Sequence, residues 1–252
     1  MQYKYLLIQI REMTLASLKA RYRKTWAGFI WVILNPLLMF GVQSLVFKRF
    51  LNLQVDEYYL FLLGGLLPWI FFSQTVQMAT PIYVTQSQVL KSFKINPMVI
   101  LSSQVLDGFI NFIATFVLIL LPVFFATNRD IAVLFLIPLS LIPLLLGTLS
   151  LSVVLSTWNV FFRDTNFITG FVFSLLFFLT PIFYPKEFVP AEWQWIVHIN
   201  PVMYFVDPFR SAIYSPSQFW YLLLKSMGVA LFFTGYAIFI WRKNRNEFYR
   251  RL

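Results

Sequence analysis

The sequence has 252 residues, of which 59% are hydrophobic, 20% aromatic and only 12% charged. A soluble domain is roughly 25% charged, so this composition and a mean hydropathy of +0.72 exclude a single soluble globule and indicate an integral membrane protein. The chain has no cysteine and one histidine, which excludes thiol chemistry, iron–sulfur clusters and metal sites built from several histidines.

Residues 1–25 are predicted to form an amphipathic helix that lies at the membrane interface. Leu6, Ile10 and Met13 recur at helical spacing, while basic residues such as Lys19 occupy other positions around the helix. The alternative is a basic anchor without an interfacial helix.

Residues 26–252 are predicted to form a six-span transmembrane domain. Six apolar stretches are long enough to cross the hydrocarbon core, which requires about 20 residues of helix. The predicted spans are 26–47, 58–76, 99–126, 131–159, 167–184 and 220–241. The fold class is therefore an all-α integral membrane protein with six transmembrane helices, an N-terminal interfacial helix and short re-entrant gate helices before the last span.

The distribution of lysine and arginine predicts the orientation of the chain. Most of these residues lie in the N-terminal segment, in the loops after spans two and four, and in the C-terminal tail. Because positive charge marks the cytoplasmic side of a multi-pass protein, both termini are predicted to be cytoplasmic. Topology then explains most of the net charge of +10, and we expect no nucleic-acid partner.

The cytoplasmic loop at about 81–98 is a candidate coupling loop. It has no acidic residue, and it mixes apolar Val84, Leu90 and Phe93 with Lys91. This pattern is typical of a short amphipathic helix that docks on a partner or on the membrane surface. A plain connector would have a similar sequence.

A polar stripe in the third span is a candidate transport path. Gln104, Asp107, Asn111 and Thr115 lie at i, i+3, i+7 and i+11, so they share one face of a helix. An ionisable group at membrane depth is costly, and Asp107 therefore has either a structural hydrogen-bonding role or a role in transport. Further candidates for the same path in spans one and two are Asn35, Gln43 and Gln77.

The external segment at about 185–218 combines many aromatic residues with four prolines that divide it, Pro190, Pro201, Pro208 and Pro216. It is too apolar for a solvated loop and too interrupted to span the membrane twice. Short helices that dip back into the membrane fit this pattern, because irregular backbone at that depth must be covered by protein or line a watery cavity. The alternative is an aromatic belt that anchors the last span at the interface.

The chain has no phosphate loop of the Walker A type. That motif needs Gly-Lys followed by Ser or Thr, and none of the nine glycines precedes a lysine. The chain itself is therefore expected to be neither an enzyme nor a cofactor-binding protein. Any ATP and magnesium would be bound by a partner subunit.

Four stretches resemble one family of transporters. They are RYRKTWAGFIWVILNPLLM (21–39), LLPWIFFSQTV (66–76), WNVFFRDT (158–165) and FFLTPIFYPKEFVPAEWQWIVHINPVMYFVDPFRSAIY (177–214). Together, in this order, they resemble the permease subunits of type-2 ABC exporters for polysaccharides, which include O-antigen, capsule and teichoic-acid exporters. The resemblance covers essentially the whole chain.

The resemblance implies a homodimer of this permease with two separate ABC ATPase subunits. It implies that residues 84–94 form the coupling helix and that residues 190–214 form gate helices, and it matches Arg163 and Asp164 to the Arg-Asp of the family's N-x-x-x-R-D motif. The implied ATPase-coupling residues are Val84, Ser87, Lys91, Phe93, Lys94, Arg163 and Asp164. The implied gate residues are Trp193, Trp195 and Tyr204.

The function expected from this resemblance is ATP-driven export of a lipid-linked polysaccharide, such as an O-antigen, across the bacterial inner membrane. Two other functions are compatible with the sequence. A proton-coupled secondary transporter would use Asp107, although no convincing internal repeat is visible. A membrane scaffold, or a partner of a glycosyltransferase, would have no transport activity.

Overall fold

The computed structural model describes residues 2–22, 26–93, 95–127 and 130–252. Within these ranges the chain is helical, with no strand. The helices are α1 (Gln2–Tyr22), α2 (Trp26–Ser44), α3 (Tyr58–Ala79), α4 (Ile82–Thr85), α5 (Ser87–Phe93), α6 (Pro97–Thr115), α7 (Leu121–Phe125), α8 (Ile137–Phe161), α9 (Thr165–Leu179), α10 (Gln194–Ile199), α11 (Pro201–Tyr214) and α12 (Phe219–Arg251). The predicted all-α membrane protein is confirmed.

Within the described part of the chain, five helical stretches are long and apolar enough to cross a membrane. They are Ile30–Phe50, Tyr58–Ala79, Pro97–Phe125, Ile131–Phe161 and Pro216–Arg251. The first and third contain π-helical turns, at Leu45–Phe50 and Phe116–Leu120, and the fourth begins with the 3-10 turn Ile131–Leu136. Each of the five overlaps one of the predicted spans, and the last is longer than predicted because α12 continues into the basic tail.

The predicted span 167–184 corresponds to the shorter helix α9, which has 15 residues. At 1.5 Å per residue this helix is about 22 Å long, less than the roughly 30 Å of a hydrocarbon core. It ends before Pro181, because the residue before a proline avoids helical backbone. Thr180 is indeed extended, with φ −91° and ψ 126°. The fifth predicted span is therefore a short helix followed by a break at residues 180–185.

Helix α3 is the centre of the bundle. In its most apolar part 89% of the residues are buried, against 11% for the stretch Ile30–Phe50, which includes most of α2. Helices α2, α6, α8 and α11 all pack against it. Close packing depends on glycine at two points: a Cβ at Gly147 of α8 would lie 2.5 Å from the ring of Phe205 in α11, and a Cβ at Gly108 of α6 would overlap Thr75 of α3.

Helices α1 and α12 both contribute to a separate cluster of buried apolar residues at one end of the bundle. Met13 of α1 and Phe248 of α12 pack there with Tyr83 of α4. Phe248 and Tyr83 are 1% and 0% exposed, and their ring centroids are 5.0 Å apart. Helix α1 packs along α6, where the Thr14 hydroxyl donates a hydrogen bond to the carbonyl oxygen of Ser103 at 3.4 Å. The two termini therefore lie at the same end of the bundle.

The 185–218 segment lies at the opposite end and forms the short helices that its prolines predict. It contains α10, α11 and the 3-10 turns Lys186–Phe188, Ala191–Trp193 and Pro216–Gln218. Helix α11 is the most buried of these and packs against α3, α8 and α12. Its N-cap Asn200 accepts a hydrogen bond from the Val202 amide at 3.0 Å, which satisfies one of the free N–H groups of the first turn.

Candidate functional site

A groove of about 950 Å³ runs between α2 and α9, with α3 and α6 along its base. It is lined by Trp31, Val32, Asn35, Pro36, Leu67, Ile70, Phe71, Gln74, Thr75, Gln77, Met78, Gln104, Asp107, Gly108, Asn111, Phe112, Thr115, Asn166, Phe167, Gly170 and Phe171. We refer to these residues as the groove. Six of the seven predicted path residues belong to it, namely Asn35, Gln77, Gln104, Asp107, Asn111 and Thr115. Gln43 does not.

The predicted stripe of α6 faces the groove as helical spacing requires. Asp107 is 1% exposed, and Thr115 is buried with its hydroxyl bonded to the Asn111 carbonyl oxygen at 2.9 Å. The amide nitrogen of Gln104 approaches the sulfur of Met78 in α3 at 3.7 Å. These contacts place the stripe where α6 meets α3.

The two edges of the groove carry exposed aromatic side chains. Trp31 of α2 is 58% exposed, and Phe167 and Phe171 of α9 are 76% and 66% exposed. The sequence analysis did not single out these three residues, nor Asn166 of α9. The spacing of Asn166, Phe167, Gly170 and Phe171 at i, i+1, i+4 and i+5 is the signal that could have indicated a groove-lining face.

The groove offers side-chain amides and aromatic rings. Among its described lining residues Asp107 is the sole ionisable one. Asparagine and glutamine both donate and accept hydrogen bonds, so they suit a ligand rich in hydroxyl groups, and aromatic faces suit the apolar faces of ring compounds. Such a surface favours a neutral polar chain, and it contains no described cation that would hold an anion.

The predicted coupling loop forms α4 and α5 at the end of the bundle that carries the termini. Leu90 is fully buried and Val84 is half-buried, and both belong to the same apolar cluster as Tyr83. Ser87 is also half-buried, whereas Lys91 is exposed and Phe93 is 73% exposed. Lys94 lies outside the described residues. Helix α5 therefore packs one face against the cluster and leaves the charge of Lys91 and the ring of Phe93 exposed.

Arg163 and Asp164 lie between α8 and α9, at the end of α9 that borders the groove. Both side chains are exposed. The Arg163 carbonyl oxygen accepts a hydrogen bond from the side-chain amide of Asn159 at 3.1 Å, which closes the end of α8. Helix α4 packs against α8 nearby. The role of this pair in coupling stays a prediction.

The three predicted gate residues lie on α10, on α11 and on the turn before them. Trp193 and Trp195 are 53% and 55% exposed, and Tyr204 is half-buried with its hydroxyl donating to the His198 carbonyl oxygen at 2.9 Å. The two tryptophans are thus uncovered by protein within the chain. Their role as gate residues stays a prediction.

Sequence reasoning missed a buried ion pair in α11. Arg210 is only 6% exposed, and its guanidinium lies 3.2 Å from the carboxylate of Asp207. Burial raises the pKa of Asp207, and the positive charge of Arg210 opposes that rise. The i, i+3 spacing of the two residues was the available signal.

Comparisons with known proteins match the sequence to one transporter family and to several of its members. Residues 8–214 match the protein family described as ABC-2 type transporter. The chain is 28% identical over 238 residues to "O-antigen export system permease protein RfbA" of Klebsiella pneumoniae, covering 93% of this chain and 92% of the relative. It is 29% identical over 252 residues to the protein of the same name from Myxococcus xanthus, covering 98% and 95%. It is 19% identical over 211 residues to "Polysialic acid transport protein KpsM" of Escherichia coli, covering 82% and 81%.

Proposed function

The chain belongs to the ABC-2 type transporter family, and from this premise we propose that it is the membrane subunit of an ATP-driven exporter of lipid-linked polysaccharide in the bacterial inner membrane. The relatives named for O-antigen export align over nearly their whole length, which supports a polymer of the O-antigen class. The single observation that carries the proposal is the groove, whose amide and aromatic lining suits a hydroxyl-rich polymer.

The groove is open along one side, between α2 and α9, so one chain provides half of an enclosed path. Two copies that faced each other across these helices would enclose the polymer between two grooves. The exposed apolar residues of α9 support such contact, since Phe171, Leu175 and Phe178 are 66%, 48% and 67% exposed. We therefore propose a homodimer in which α2 and α9 border the interface, and membrane lipids cover the remaining apolar surface.

The energy for export would come from two ABC ATPase subunits that bind ATP and magnesium. This chain has no Gly-Lys phosphate loop of its own. Helix α5 supports docking of the partner, because it carries exposed Lys91 and Phe93 beside a buried face that fixes its position. In this arrangement both termini are cytoplasmic, and the 185–218 segment faces the periplasm.

The proposal is tested by purifying the chain both alone and in complex with its ATPase partner, and by measuring ATP hydrolysis in each sample. We expect the isolated chain to hydrolyse no ATP and the complex to hydrolyse it. A cell that lacks the chain should accumulate the lipid-linked polymer inside and display none on its surface. Normal display of the polymer without the chain would contradict the proposal. Robust hydrolysis by the isolated chain, with contaminating ATPases excluded, would contradict the division of labour.

A further inference from the structure

The first four residues of the break at 180–185 are buried, and side chains from two other helices bond polar groups of its backbone. The guanidinium of Arg210 in α11 donates to the Pro181 carbonyl oxygen at 2.7 Å. The hydroxyl of Tyr58 in α3 donates to the Phe183 carbonyl oxygen at 2.9 Å. A non-helical backbone in an apolar bundle needs such partners, because each unsatisfied polar group costs several kcal/mol in a membrane.

Arg210 is held in a site that fits its guanidinium on several sides. Besides Pro181 and Asp207, it contacts the ring of Phe61 in α3, with 4.7 Å between the guanidinium carbon and the ring centroid. A Cβ at Gly65 of α3 would lie 3.0 Å from the Ile182 carbonyl oxygen and 3.6 Å from that guanidinium carbon. Because Gly65 has no side chain, α11 and the break can approach each other at this point of α3.

Helix α11 also bonds to the break at its other end. Its N-cap Asn200 donates from the side-chain amide to the Thr180 hydroxyl at 2.7 Å, and both residues are buried. Asn200 and Arg210 are ten positions apart on the chain. The two bonds therefore attach the adjacent residues Thr180 and Pro181 of the break to two points of α11 that are ten residues apart, which resists displacement of the break along α11.

The far end of α9 lines the groove through Asn166, Phe167, Gly170 and Phe171. Because α9 is one uninterrupted helix of 15 residues, a displacement at its groove end reaches the break. We propose that Arg210 is a positioning residue that makes α11 and the break one rigid unit, so that movement of α9 beside the groove moves the 185–218 segment. The inference rests on the proposed export function, which supplies the reason for α9 to move.

A reporter cysteine at Trp193 tests the inference in the cysteine-free chain. In the complex with its ATPase, the reaction rate of Trp193→Cys with a membrane-impermeant thiol reagent is measured with and without ATP and magnesium. The ratio of the two rates should differ from unity in the otherwise unchanged chain. Arg210→Gln should bring the ratio to about 1 while the complex still assembles and hydrolyses ATP.

The matched control is Tyr214→Phe, which removes another outer bond of α11. The Tyr214 hydroxyl donates to the Asp56 carbonyl oxygen at 2.9 Å, in the connection before α3. This variant should keep the nucleotide-dependent ratio. A ratio that Arg210→Gln leaves unchanged, an equal loss in Tyr214→Phe, or no nucleotide dependence in the parent would each overturn the inference.

A second test does not depend on the folding of an Arg210 variant. In Thr180→Cys/Asn200→Cys a disulfide or a short crosslinker would join the break to α11. If the two form one rigid unit, export should be the same before and after reduction of the crosslink. A crosslink that blocks export reversibly would show that they must separate, which overturns the inference. Absence of export by the parent complex would contradict the proposed function, whereas the thiol-reactivity ratio still decides the inference.

Discussion

Asp107 would have different roles in the proposed exporter and in a proton-coupled transporter. It lies in the groove at 1% exposure, next to Gly108, whose missing side chain allows α6 to approach Thr75 of α3. In an ATP-driven exporter a carboxylate at this helix contact has a structural role in hydrogen bonding. In a proton-coupled transporter the same group must gain and lose a proton.

We therefore expect Asp107→Asn to retain most of the export activity. The amide keeps the shape of the side chain and much of its hydrogen-bonding capacity, while the charge is lost. Polymer on the cell surface is the measurement, with the amount of the variant in the membrane as control. Loss of export by a variant that is stably made and still assembles with the ATPase would favour the proton-coupled function.

The contact between Gly147 and Phe205 predicts a stability effect at one position. Gly147→Ala would place a Cβ against the Phe205 ring and force α11 away from α8. Overpacking of this kind costs about 1–3 kcal/mol, so the purified variant should melt at a lower temperature. Gly228→Ala is the matched control, because nothing lies within 4 Å of that Cβ. Equal melting temperatures of the two variants would contradict the tight contact.

At the scale of single elements, α5 presents its two faces to different surroundings. Leu90 is fully buried in the cluster that α4, α8 and α12 share, whereas Phe93 is 73% exposed. A large exposed aromatic ring at the end of a short helix is typical of a docking contact. The buried face fixes the position of α5, and the exposed face is the one that the proposed ATPase partner would contact.

We expect charge reversal in the predicted coupling loop, at Lys91 and Lys94, to impair ATPase recruitment more than stability. Lys91→Glu/Lys94→Glu changes the sign of the loop's charge towards the proposed partner, while the exposed charge of Lys91 contributes little to folding. Co-purification of the ATPase measures the effect. Lys48→Glu/Arg49→Glu, on the opposite predicted side of the membrane, is the matched control. Equal recruitment by both double variants would mean that α5 is a connector.

The sequence predicts most elements because a span and its end signals are local. Apolar length identifies the five long helices, and the prolines of 185–218 predict short helices there. The end of α9 was misplaced, because the apolar pattern continues through Phe183 and hides the effect of Pro181. The burial of Arg210 could not be predicted, since its partners Pro181 and Phe61 are distant in sequence.

The residues of the groove also differ in whether a local sequence signal could predict them. The α6 stripe was predicted from its spacing within one helix, and all four of its residues line the groove. Gln43 shares a helix face with Asn35 but lies outside the groove. Helical spacing predicts which face a residue occupies, but not how far along that face the neighbouring helices extend. The contribution of α9 depends on tertiary packing and has no local signal of comparable strength.

At the scale of the whole molecule, the open side of the groove predicts where two copies meet. A single cysteine in place of Leu175 on α9 should crosslink to its counterpart in a second copy, because the proposed interface runs along that helix. Leu224→Cys on α12 is the matched control, since this leucine is 74% exposed and is expected to face lipid. Crosslinking in the membrane, read by gel mobility, is the measurement. Efficient crosslinking through Leu224 alone would place the interface at α12.

The aromatic contact between Tyr83 and Phe248 also constrains the order in which the molecule can be completed. Tyr83 lies next to α5, yet its ring is covered by Trp241 and Phe248, which the ribosome adds long after it. Until α12 is inserted, the apolar cluster against which α5 packs lacks the side chains that α12 contributes. In a nascent chain the proposed docking helix therefore lacks part of its support, and we expect recruitment of the ATPase only once α12 is in place.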